Sequence, residues 1–77
     1  MTLDHLVTMV NDISAFFAAD AGASAPDAVA SHLQRFWAPS MRQQIIAAYR
    51  GHDPAVDRLS GVAKQAVASL ADGPRAG

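Results

Sequence analysis

His5, His32 and His52 are the side chains in this sequence best suited to ligate a metal or relay a proton. Neither task is supported by their surroundings. None has a second histidine, a cysteine or a carboxylate at ligand spacing on the same helical face, apart from a weak relation between His5 and Asp12, seven residues apart. His32 falls at the margin of an apolar stripe, where a structural role is expected. Ser14, Ser31, Ser40, Ser60 and Ser69 lie in no nucleophile-elbow context, and Ser24 and Ser40 read as helix caps. Asp53 and Asp57 stand four residues apart, but Asp53 is explained by capping. No acid–base pair assembles, so no catalytic, cofactor-binding or metal-ligating residue is expected in this chain.

Binding remains. The stretch HLQRFWAPSMR, residues 32–42, sets Phe36 and Trp37 side by side just before Pro39, with Arg35 and Arg42 on either side. A helix-turn-helix reader of DNA is one candidate, because MRQQIIAAYR carries Arg42, Gln43 and Gln44 near its start and those types can read base edges. Against it stand a turn, Ala38-Pro39-Ser40, without the usual glycine, a net charge of −1, and first and fourth helices that are not basic. Nucleic acid is therefore the lesser alternative.

The totals bound the rest. A chain of 77 residues makes one domain, residues 1–77. So short a chain has a net stability of about 3–5 kcal/mol from its own core. With no cysteine it has neither a disulfide nor a thiolate metal site. No apolar run approaches the roughly 20 residues that span a bilayer. MTLDHLVTMV carries an acid and no basic leader, unlike a secretory signal, so a cytoplasmic protein away from membranes is expected.

The elements that must position these residues read as an all-α fold: a small, corner-packed bundle of about four short helices with no sheet. The first spans about 3–18, capped by Thr2, with Leu3, Leu6, Val7, Val10, Ile13 and Phe17 on one face. The second spans about 25–37, after Ser24, with Val29, Leu33 and Phe36. Pro39 disfavours helical geometry at Ala38. The third spans about 41–50, with Ser40 and Gln43 at capping-box spacing and Gly51 as its stop. The fourth spans about 54–71 after the cap Asp53, weakened by Gly61, and residues 72–77 read as a disordered tail.

Consecutive helical residues point about 100° apart, so adjacent large apolar side chains cannot share one narrow stripe. Met9 and Phe16 lie outside the stripe of the first helix, Trp37 lies at the edge of the second, and Ile46 lies in line with Arg42 and Arg50 on the third. These four are surplus apolar surface on a chain that can hide little. Trp, Phe, Met and Arg are also the types enriched at interfaces. From Asp27 to Asp53 no acidic residue intervenes, while Arg35, Arg42, Arg50, His32 and His52 do, which suits an acidic partner surface. No glycine-rich cradle for phosphate accompanies them.

At this point the residues resemble a known family. MVNDISAFFAAD and DAVASHLQRFWAPSMRQQIIAAY look like the delta subunit of soluble NAD-dependent formate dehydrogenases. The matching positions are Met9, Asn11, Ile13, Phe16 and Phe17, then His32, Leu33, Phe36, Trp37, Pro39, Met41 and Arg42. The resemblance covers about residues 3–50, with a looser final helix. Position 40 is serine where the family carries arginine more often, which removes one positive charge from the contact face.

The resemblance implies a non-catalytic accessory subunit that binds no cofactor. Its partners would be the large catalytic subunit, with a molybdenum or tungsten bis-pterin guanine dinucleotide centre, and electron-transfer subunits with iron–sulfur clusters and FMN. The expected role is assembly or stabilisation of that complex, or cofactor insertion and retention. The residues expected to face the partner or form the corner are Phe36, Trp37, Pro39, Met41 and Arg42, then Met9, Phe16 and Ile46, with Arg35 and Arg50 as flanking cations. On this reading Trp37→Ala lowers co-purification with the large subunit more than it lowers helicity. A self-associating bundle is a third possibility.

Overall fold

The computed structural model describes residues 2–72, so the expected tail lies almost wholly outside the described residues. Those residues form helices and turns with no strand, as the periodicity requires. Helix α1 spans Leu3–Ala21, α2 spans Ala25–Phe36, α3 spans Pro39–Arg50 and α4 spans Gly61–Ala71. Two 3-10 segments, Gly22–Ser24 and Pro54–Arg58, lie between α1 and α2 and between α3 and α4.

Helix α1 starts as expected: the His5 N–H donates to Thr2 Oγ1 at 3.2 Å, and Asp4 sits in the positive first turn. It runs past Ala18 because Ala18, Ala19 and Ala21 are strong helix formers. Gly22 stops it, with φ 57° and ψ −123°, a conformation open in practice only to glycine. Ser24 does not cap α2 with its side chain, because the 3-10 turn feeds directly into the helix and the Ala25 N–H donates to the Gly22 carbonyl.

The α2–α3 joint differs from expectation by a residue or two at each side. Helix α2 ends at Phe36, and Trp37 and Ala38 are both extended. Helix α3 begins at Pro39 rather than Met41, since proline's fixed φ suits the first helical position. The N-cap is Ala38 with no side-chain bond, so the Ser40–Gln43 capping box is not used. At the far end Gly51 keeps φ −85°, and it is His52 that takes the left-handed conformation, φ 56°. A side chain there is strained, so His52→Gly is expected to raise stability by about 0.5–1 kcal/mol, read as a higher urea midpoint. An unchanged or lower midpoint would count against this assignment of strain.

The expected fourth helix is two elements. Asp53 does cap its start, accepting from the Ala55 N–H at 2.9 Å. The chain then straightens at Leu59 and Ser60, and α4 restarts with Ser60 Oγ accepting from the Ala63 N–H at 3.2 Å. The break is held from outside. Asn11 of α1 donates through Nδ2 to the Arg58 carbonyl at 2.9 Å, and its Oδ1 accepts from the Ser60 N–H at 2.8 Å.

Helix α4 sits centrally, packed on α2 and α3 and touching α1. Its inward positions include Ala63, Ala66 and Ala71, small enough to let neighbouring backbones come close. The core around it is Leu6, Val7 and Val10 of α1, Val29 and Leu33 of α2, Ile45 of α3, and Val56 and Leu59 before α4. Fully burying each of the larger of these is worth about 1.5–3 kcal/mol.

One polar group shares that core. Ser14 is 1% exposed, and its Oγ has no hydrogen-bond partner among the described residues. A buried hydroxyl left unpaired costs about 1–3 kcal/mol, and alanine is the better helix former. Ser14→Ala is therefore expected to stabilise the domain by about 1 kcal/mol, a rise of roughly 4–8 °C in Tm. A fall in Tm would show that the hydroxyl is satisfied in solution.

Candidate partner-docking surface

Two large apolar side chains stand out in solvent: Phe16 at 68% exposure and Phe36 at 72%. Neither stands alone. The Phe16 and Phe17 rings meet edge to face with centroids 5.4 Å apart. Phe17 meets the His32 ring at 5.9 Å, and His32 meets Phe36 at 4.9 Å. The four rings form one continuous ridge across α1 and α2, each step within the range of favourable ring contacts. Phe17 and His32, half-buried in its middle, tie the ridge to the fold, while the two ends project.

Phe16 points outward as the helical spacing predicts. Phe36 and Trp37 exchange the parts expected of them. Trp37 is 6% exposed and belongs to the core, so its place as surplus surface is corrected, and of the two roles expected of it, partner face or corner, burial leaves the corner. The reason is local. Trp37 lies one residue beyond the helix with ψ 143°, so the 100° step from Phe36 does not apply to it. The extended backbone turns the indole inward at the end of the α2 stripe, and Phe36 is left exposed with its ring tilted against His32. Met9 and Ile46 are also corrected: both are half-buried and pack against the core instead of standing free. In a bundle this small each helix touches several neighbours, so the buried arc is wider than a single stripe.

The remaining expected residues divide between fold and surface. Pro39 is exposed at the start of α3, and Met41 packs half-buried against the core. Arg42 serves the corner: its Nη1 donates to the Trp37 carbonyl at 2.6 Å and to the Gln34 carbonyl at 3.1 Å, satisfying the open C-terminal end of α2. That contact engages one of the three side chains a DNA-reading helix would use. Arg50 acts alike on α4, donating through Nη2 to the Ala71 carbonyl. Arg35 is exposed beside Phe36. The exposed ion pair between Arg58 and Asp4 is of the surface kind that adds little stability.

Asn11 is the residue whose role sequence reasoning missed. It was legible only as one of the positions that match the family motif. Its partners lie 47 and 49 residues further along the chain, beyond any local pattern.

Among the described residues, no group of three or more His, Cys, Asp or Glu side chains converges where a metal ion could sit, and no helix is long and apolar enough to cross a membrane. What the surface does show is an aromatic ridge, with the exposed acids Asp12 and Asp20 one helical turn to either side of Phe16.

Comparison with known proteins agrees with the residues of the two helical motifs. No curated protein and no solved structure matches the chain. A family model described as NADH-dependent formate dehydrogenase delta subunit FdsD matches residues 5–67, which takes in Asn11, the whole aromatic ridge and the α2–α3 corner. Over that span, most of its length, the chain belongs to the FdsD family of formate dehydrogenase delta subunits.

Proposed function

We propose that this chain is a non-catalytic accessory subunit of a cytoplasmic NAD-dependent formate dehydrogenase, and that it stabilises the large subunit bearing the molybdenum or tungsten centre and helps it acquire or keep that cofactor. The observation that carries the reading is the aromatic ridge: a domain of 77 residues leaves two phenylalanines largely in solvent, aligned on one surface. Exposed rings of this kind mark protein contacts. The family supplies the complex in which such a contact would be made.

The chain's residues do not fit the iron–sulfur clusters expected on its partners. Iron–sulfur clusters are held by cysteine thiolates, and this sequence has no cysteine. The clusters therefore belong, on this proposal, to the partner subunits, to which we also assign the bis-pterin centre and FMN, and the delta chain acts on the architecture around them.

The test is co-expression of the complex with and without this chain. Without it, the large subunit is expected to purify with a lower molybdenum or tungsten content and in a smaller assembly. Unchanged metal content together with unchanged assembly size would overturn the reading.

A further inference from the structure

The break before α4 is not written into the apolar pattern. Val56, Leu59, Ala63, Ala66, Val67 and Leu70 follow one another at steps of one, three and four residues, straight through it. On one continuous helix they would fall within an arc of about 100°. All of them are buried in the broken chain as well. No proline lies between 55 and 71. Gly61 disfavours a helix, yet its position has room for a side chain: a Cβ there would meet nothing within 4 Å.

Asn11 holds the interruption. On a continuous helix the Arg58 carbonyl would accept from the Val62 N–H, and the Ser60 N–H would donate to the Val56 carbonyl. The Asn11 amide stands in for both absent partners, donating through Nδ2 to the Arg58 carbonyl and accepting through Oδ1 from the Ser60 N–H. The Val56 carbonyl accepts instead from the Leu59 N–H at 3.0 Å. Leu59 and Ser60 are left extended, with ψ 136° and 166°. A second side chain of α1, Asp4, pairs with the Arg58 guanidinium. A local pattern that conflicts with the tertiary structure in this way is expected where a segment is strained or has two conformations.

We infer that residues 54–71 form a two-state segment: a broken form latched by the Asn11 amide, and a single continuous helix that forms when the amide lets go. The stripe of apolar residues is the same in both, and the change is one of length. Residues 54–58 at about 2.0 Å each and Leu59 and Ser60 at about 3.3 Å each close up to about 1.5 Å per residue, which shortens 54–60 by roughly 6 Å. The link from Gly51 to Asp53 takes up that movement, and His52 within it already stands in the left-handed region. The latch lies at the surface, with Asn11 half-buried and Arg58 and Ser60 exposed, so solvent and polar groups of a docked protein have access to it. This property belongs to the chain alone and does not depend on the accessory-subunit reading.

Solution NMR of the full chain provides the test. In the wild type the Cα chemical shifts of Leu59 and Ser60 should report extended backbone. Each Asn11 bond is worth about a factor of five to the broken form alone, so Asn11→Ala tilts the balance towards the continuous helix roughly thirtyfold. Both shifts are then expected to move towards helical values, and the Ser60 and Val62 N–H groups to exchange more slowly with solvent. Gly61→Ala leaves the latch in place and should raise the share of the continuous form several-fold, seen as stronger microsecond-to-millisecond relaxation dispersion at Leu59 and Ser60 than in the wild type. Extended Cα shifts at both residues in a folded Asn11→Ala chain would overturn the two-state segment. Should Asn11→Ala fail to fold, Gly61→Ala decides: flat dispersion at both residues overturns it, and dispersion that fits a minor form with helical shifts upholds it.

Discussion

Trp37→Ala is expected to unfold this domain. The indole is 6% exposed and packs in the same core as Leu33, Val56 and Leu59. Truncating a buried tryptophan to alanine costs about 3–5 kcal/mol, through lost burial and the cavity left behind. A core of this size supplies only about 3–5 kcal/mol in the first place. Helicity by circular dichroism should therefore fall sharply at 25 °C, and co-purification with the large subunit should fall with it. The neighbouring substitution separates the two roles. Phe36→Ala removes an exposed ring, and its effect on stability should stay within about 0.5 kcal/mol. A Trp37→Ala variant with native helicity and a native melting curve would return Trp37 to the surface and Phe36 to the core.

Asn11→Ala is the second large effect, at about 2 kcal/mol. Two hydrogen bonds are lost at once, each worth about 1 kcal/mol, and their backbone partners are the last residue of the 3-10 segment and the N-cap of α4, at the break between the two elements. The Arg58 carbonyl and the Ser60 N–H have no neighbouring turn to replace the amide. The loss should appear as a lower urea midpoint. Asn11→Asp distinguishes the two bonds: it keeps an acceptor for the Ser60 N–H and loses the donor to the Arg58 carbonyl, so its stability should fall between wild type and Asn11→Ala. Equal stability of all three would mean that the break before α4 is set by Ser60 and Gly61 alone.

The two substitutions mark where the sequence could and could not be read. The apolar repeat Leu6, Val7, Val10 identifies a helix and its inner face without reference to anything outside it. The caps at Thr2 and Asp53 are local in the same sense, each side chain reaching a backbone N–H two or three residues away. The outward position of Phe16 follows from its place beside Phe17 on one continuous helix. The aromatic ridge was therefore half legible: its α1 end came from spacing, and its α2 end did not. A wheel drawn through Phe36 and Trp37 assumes both are helical, and the helix ends between them.

What the sequence determined alone is the helical class, the starts capped by Thr2 and Asp53, the inner face of α1 and the family to which the two motifs belong. These depend on backbone preferences and periodicities that act over a few residues. Tertiary structure alone decided that Trp37 turns in while Phe36 stays out, that Met9 and Ile46 are covered, and that the chain breaks at Leu59 and Ser60. Each of those outcomes depends on a partner distant along the chain: a neighbouring helix that widens the buried arc, or the Asn11 amide that holds the break open. A local pattern carries no information about which distant surface will arrive against it.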